Sequence, residues 1–292
     1  MSNTEYNVYW NQSYTVSEYA FDTTRKSGHI AEAIREGGAE VTLVDPDAFT
    51  ERASELIRSV HESGYVDAVL SGRPEDLATS QGFDWDPGIP TMAVAHSAGL
   101  VAGVTDVLTG TGRVAGSLSS GLHHARAGRG AGYCTFNGLA VAARAALDLG
   151  ADRILVLDLD AHCGGGTRSM TDPGRVVQVD VSTIRFDRWT PAGDDALLFA
   201  DRSDYLRQVD AVLGLADRAG SFDLVLYNAG MDPVTDTRVT SEDIRTREQR
   251  VADWARGHDY PLVFALAGGY TSGSVSMGQL VDLHLATVWS FA

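Results

Sequence analysis

The stretch Asp158–Gly165, DLDAHCGG, carries two carboxylates and an imidazole at alternating positions, directly after the apolar run Ile154–Leu157. In an extended chain, residues i and i+2 point to the same side, about 6.5–7 Å apart. Asp160 and His162 can therefore converge on one ion. Asp232, beyond a second apolar run, can complete an Asp/His/Asp set. Three protein ligands and an open position is the arrangement of a catalytic zinc. Asp158 is then left over, and can orient an imidazole through a carboxylate–histidine hydrogen bond. Alone, the motif fits loop-capping aspartates and a packed histidine equally well; the other polar clusters decide between the two.

Two such clusters stand out. His123 and His124 are adjacent in the Gly- and Ser-rich stretch SSGLHHARAGRGAGYC. Attack of an activated water on a carbonyl needs a base for the water's proton and an acid for the leaving group, and imidazole titrates in the right range for both. Tyr270 follows AGG, where glycines let the backbone approach a ligand closely. A phenol there can donate a hydrogen bond to a developing oxyanion.

The elements that must position these groups are legible as apolar runs alternating with helical patterns. Strands are predicted at Tyr6–Trp10, Glu40–Asp45, Val66–Gly72, Arg153–Asp160, Val176–Ser182, Phe222–Gly230 and Pro261–Gly269. Helical stretches include 28–37 and 136–150, both closing on glycine, and 241–257, which opens on Ser241 and acidic residues. Continuous apolar strands separated by helices indicate a parallel sheet covered on both faces. The expectation is a single α/β domain over residues 1–292, with a mostly parallel sheet of about seven or eight strands. Three strands deliver their polar residues at their carboxyl ends, where open α/β sheets bind ligands.

Composition narrows the function classes. The chain has 292 residues, 44% hydrophobic and 21% charged, and a net charge of −16 with Lys26 its only lysine. The negative field argues against nucleic acid, which wants a basic footprint, and mildly favours a cationic substrate. The amino terminus lacks the basic and apolar regions of a signal peptide, and no run of apolar residues approaches the ~20 of a membrane span. Cys134 and Cys163 are expected as free thiols in a reducing cytoplasm. No membrane partner is expected; a homo-oligomer is left open.

The order GLHHA, GYCTFN, DLDAHCGGG, NAGMD, AGGY resembles the zinc-dependent histone deacetylase family of the arginase/deacetylase fold, from about Gly82 to Tyr270. The resemblance implies zinc ligands Asp160, His162 and Asp232. It implies the histidine pair His123 and His124, with His124 as general base and acid, Asp158 paired with His123, and Tyr270 polarising the scissile carbonyl. It also implies a substrate-orienting Asp84 in GFDWD, a tunnel wall at Gly132 and Tyr133, and an opposing aromatic at Trp189. A potassium ion is implied near Asp158, held with main-chain carbonyls around Asp160, His162 and Ser182.

The sequence departs from that family at HCGGG, where members read HHGDG or HHGNG. Gly165 stands where a polar residue orients the second histidine, so His124 is expected to lack its partner. The short chain also predicts a shallow tunnel. The leading expectation is a zinc amidohydrolase acting on a small N-acylated amine, such as an acetylpolyamine or a biosynthetic intermediate. The alternatives are an acetyl-lysine protein deacetylase, a two-manganese ureohydrolase, which needs a further carboxylate after His162, and a non-catalytic relative that retains zinc.

Overall fold

A computed structural model describes residues 6–18, 22–37, 41–110, 112–271 and 275–292. Eight strands form one parallel sheet: β1 (Tyr6–Tyr9), β2 (Val41–Val44), β3 (Val114–Ser117), β4 (Ile154–Asp158), β5 (Val176–Ser182), β6 (Ala196–Phe199), β7 (Leu224–Gly230) and β8 (Leu262–Ala267). Their order across the sheet is β2-β1-β3-β8-β7-β4-β5-β6.

The central strands are buried on both faces, which is why they read as unbroken apolar runs. Leu155, Leu157, Val225, Tyr227 and Phe264 face one hydrophobic layer. Their neighbours Ile154, Val156, Leu224, Leu226 and Val263 face another. Helices Tyr205–Ala219, Ser241–His258 and Met277–Phe291 contribute to the first layer. Helices Thr50–Val60, Gly88–Thr109 and Gly138–Asp148 contribute to the second. The helix Gly88–Thr109 is long and apolar enough to cross a membrane, but 72% of its apolar window is buried within the fold. It serves as a core helix.

The predicted strand Val66–Gly72 is instead part of the helix Ser63–Ser71, capped by Gly72 in the left-handed region at φ 77°. Its buried residues, Tyr65, Val66, Ala68 and Val69, follow a helical rather than an alternating period. Two strands were not foreseen, β3 and β6. Each has only four residues, and β3 contains Gly116, where a Cβ would lie 2.1 Å from the Phe264 ring. The helix expected at 241–257 is found at Ser241–His258, with Thr240 and Asp243 forming its capping box. Glu40, at the start of one predicted strand, lies outside the described residues.

Candidate metal centre and active site

Four adjacent strands in the middle of the sheet, β3, β8, β7 and β4, end on the same side, and each feeds a loop into one cavity of about 220 Å³. Strand β4 ends at Asp158, and the chain bends through Asp160–His162. The convergence of Asp160 and His162 thus comes from this bend rather than from strand alternation. Strand β7 ends at Gly230, and Asp232 opens the short helix that follows. Gly230 pairs with Ala267 of β8, which sets Asp232 beside Gly268 and Gly269. Gly268 lies at φ 58°, and a Cβ there would sit 2.3 Å from a carboxylate oxygen of Asp232. Only glycine admits this approach.

One ligand atom from each of Asp160, His162 and Asp232 lies within 4.8 Å of the others. His162 Nδ1 lies 3.1 Å from Asp160 Oδ1 and 3.3 Å from Asp232 Oδ2. Asp160 and Asp232 are buried, and two buried carboxylates aimed at one imidazole nitrogen form a donor set that fits a divalent cation. Burial alone would lower the His162 pKa, but hydrogen bonds and charge from both carboxylates raise it to about 10. Burial likewise opposes ionisation of Asp160, yet His123 and His162 hold its carboxyl well below the usual range. Asp232 goes the other way, raised by burial and by the charge of Asp160.

The histidine pair sits on a loop held at several points. Asn137 caps the helix Gly138–Asp148 by accepting from Ala140 N, and donates to Ala125 O at 2.9 Å. His61 Nδ1 bonds Arg126 O at 3.0 Å, and Thr167 N donates to His123 O at 2.9 Å. His123 Nδ1 donates to Asp158 Oδ2 at 2.7 Å, and Asp158 also accepts from Asn228 Nδ2 and from Asp160 N. Burial pulls the His123 pKa down, but Asp158 and Asp160 raise it to about 9. The Nε2 atoms of His123 and His124 are 3.1 Å apart. Burial and the neighbouring His123 lower the His124 pKa to about 4, against the opposing pull of Asp187.

Asp187 corrects an expectation. Gly165 was to leave His124 without a partner, but His124 Nδ1 donates to Asp187 Oδ2 at 3.0 Å. The carboxylate arrives from the loop after β5, where sequence reasoning named only Trp189. Tyr270 lines the cavity, and burial together with Asp232 and Asp160 pushes its pKa far up, keeping the phenol a donor. Gly132 and Tyr133 also line the cavity, and Tyr133 stacks on Phe83 with ring centroids 5.2 Å apart.

Residues 21–185, more than half of the chain, match the family described as Histone deacetylase domain. The chain belongs to that family. It is 31% identical to Histone deacetylase 2 of Arabidopsis thaliana over 172 residues, which cover 54% of this chain and 44% of that protein. It is 29% identical to Acetylpolyamine amidohydrolase 2 of Pseudomonas aeruginosa over 238 residues, 68% of this chain and 64% of that protein. The chain thus spans under two thirds of the length of these two relatives. The solved structure of an acetylpolyamine aminohydrolase from Burkholderia pseudomallei matches with a TM-score of 0.75 over 98% of both chains, at 16% identity, and shows the shared fold.

The family match ends before Asp232 and Tyr270, which are placed by the strand ends rather than by that alignment. One expected wall residue of this histone deacetylase domain, Trp189, lies elsewhere. Trp189 does not line the cavity; its indole N–H donates to Asp180 Oδ2 at 2.7 Å. Phe186 lines it instead, edge-on to His124 with ring centroids 4.8 Å apart. The chain turns at Asp187, φ 58°, and sends the two aromatics to different sides. Asp84 is exposed beside the cavity-lining Phe83, outside the lining itself. Lys26, unassigned by the sequence, is buried and donates to Gly268 O, with burial lowering its pKa to about 7 against the pull of Asp232 and Asp160.

Proposed function

We propose that this chain is a zinc-dependent amidohydrolase that removes an acetyl group from a small N-acylated amine. The carrying observation is the convergence of Asp160, His162 and Asp232 within 4.8 Å on a cavity also lined by His123, His124 and Tyr270. When bound by those three residues, zinc supplies Lewis acidity towards a carbonyl and acidity to a water. The rest falls to side chains. His124 takes the water's proton and returns it to the leaving nitrogen, His123 is held by Asp158, and Tyr270 donates to the carbonyl oxygen as it gains charge.

A potassium ion is proposed beside Asp158 and Ser182, since Ser182 Oγ is buried with no hydrogen-bond partner among the described residues. A small substrate is favoured by the cavity of about 220 Å³, and a cationic one by the net charge of −16. The name of the Pseudomonas relative points the same way. The hydrogen bond from His124 to Asp187 removes the motive for a non-catalytic reading.

The test is a panel of an acetylated polyamine, an N-acetylated small metabolite amine and an acetyl-lysine peptide, scored by released acetate. The expected result is a higher kcat/KM on one of the small amines. Preference for the peptide overturns the substrate assignment, and no release from any of the three overturns the activity.

A further inference from the structure

Behind His124, outside the cavity lining, lies a carboxylate that neither the metal set nor the His123 pair accounts for. Asp187 comes from the loop after β5, next to the cavity-lining Phe186 and 63 residues along the chain from His124. Its side chain is only 7% exposed, and His124 beside it is 6% exposed. Oδ2 accepts from His124 Nδ1 at 3.0 Å and from Gly166 N at 2.8 Å. Oδ1 accepts from the Arg126 guanidinium. The carboxylate is therefore fixed at three points, each from a different residue. The backbone at Asp187 is left-handed at φ 58°, a conformation Asp tolerates better than most residues.

Gly165 explains why the carboxylate can sit there. A Cβ built at residue 165 would lie 2.2 Å from Asp187 O and 2.7 Å from Asp187 Oδ1. Any side chain at 165 would project into the volume that Asp187 occupies. The glycine that looked like a missing group in the sequence is thus the clearance for a group supplied from elsewhere. A side chain at 165 and a carboxylate from 187 exclude one another in this geometry.

We infer that Asp187 is the positioning residue of His124, anchored by Arg126 and Gly166 and admitted by Gly165. Arg126 alone does not account for it. The Arg126 side chain is 41% exposed, whereas Asp187 is buried and turns its second oxygen onto the imidazole. Asp187 holds a proton on His124 Nδ1 and fixes the ring plane, which leaves Nε2 to work in the cavity. As water adds to the acyl carbon, its proton passes to Nε2. As the C–N bond breaks, the same proton passes to the departing nitrogen, giving acetate and free amine. Asp187 keeps its hydrogen bond throughout and takes up no proton.

This inference rests on the amidohydrolase reading, so its test uses two independent readouts. The first is kcat and KM for acetate release by the zinc-loaded protein, for wild type, Asp187→Ala and Asp187→Asn. The second is the nitrogen-15 spectrum of histidine-labelled, metal-free protein, which reports which nitrogen of His124 carries hydrogen. Asp187→Ala is expected to lower kcat by about 10–100-fold with KM within about twofold, the range for losing a partner that orients a site histidine. Asp187→Asn, which keeps an acceptor, is expected to lose less and to fold normally. The Nδ1–H signature of His124 is expected in wild type and reduced in Asp187→Ala. A kcat for Asp187→Ala within about twofold of wild type, or an unchanged His124 signature in that variant, overturns the inference. If wild type releases no acetate, the amidohydrolase reading fails, and the spectrum alone decides the positioning role.

Discussion

Beneath the site, the fully buried guanidinium of Arg247 ties two strand ends together, and its removal should loosen both the fold and the centre above it. Its Nη1 donates to Gly230 O at 2.7 Å, Leu159 O at 3.1 Å and Tyr205 Oη at 3.0 Å, and its Nε donates to Glu248 Oε1 at 2.8 Å. Glu248 is also fully buried and otherwise receives only the Tyr227 hydroxyl among the hydrogen bonds described. Arg247→Met would leave that carboxylate without its cation, which costs about 3–5 kcal/mol when one partner of a buried pair is removed. The orphaned carbonyls of Leu159 and Gly230 each carry a penalty of about 1–3 kcal/mol, largely overlapping with the first figure. For a chain of this size, 1 kcal/mol moves Tm by about 2–4 °C, so thermal unfolding should fall by roughly 6–20 °C. The double variant Arg247→Met/Glu248→Leu removes the stranded charge and should recover more than half of that loss. Because Leu159 precedes Asp160 and Gly230 lies two residues before Asp232, Arg247→Met should also weaken zinc binding, read by competition with a chromogenic chelator. A Tm loss under about 3 °C, or a double variant less stable than the single, would refute the reasoning.

Three further outcomes are expected. Tyr270→Phe should lower kcat for acetate release by about 10²–10³ while zinc content is unchanged, as for loss of one oxyanion donor; an unaltered kcat removes the phenol from the reaction. In the metal-free protein, His123 and His162 have pKa values raised to about 9 and about 10 from an ordinary 6.5. A raised folded pKa gives stability that is full below about 6.5 and lost as pH climbs through 9–10, so metal-free Tm should fall across that window; a flat or rising profile contradicts it. Zinc uptake near neutral pH must then displace a proton from His162, seen as a binding heat that varies with the ionisation heat of the buffer. Lastly, Phe186→Ala should change KM because Phe186 lines the cavity, whereas Trp189→Phe should leave KM alone and cost about 1–3 kcal/mol by stripping a donor from buried Asp180. The reverse pattern would restore Trp189 to the wall.

The parallel sheet was legible because strands buried on both faces carry unbroken apolar runs, as at Ile154–Leu157 and Leu262–Ala267. Short or glycine-bearing strands such as β3 lack that signal, and their pairing is set by neighbours that the local pattern does not show. The helix Ser63–Ser71 was misread because Val66 and Val69 favour strands, while its burial period spans too few residues to outweigh them. In the site, Asp160, His162, Asp232 and Tyr270 could be anticipated, since each lies within four residues of the end of a predicted strand. Phe186, Asp187 and Trp189 lie on a loop whose direction depends on one left-handed residue. An aspartate between two aromatics was a visible cue, but nothing local said which of the three would face the cavity. Gly165 was noticed for what it lacks, and only the packing of Asp187 against it gives the absence a physical meaning.

The central claim is that Asp160, His162 and Asp232 hold the ion on which hydrolysis depends. The most direct measurement is acetate release from the best small amine as zinc is added back to metal-free protein, with Asp160→Ala carried alongside. The account predicts release that rises in proportion to bound zinc, levels at about one ion per chain, and vanishes with zinc binding in Asp160→Ala. Release that does not depend on zinc, or that persists undiminished in a zinc-free Asp160→Ala variant, would contradict it.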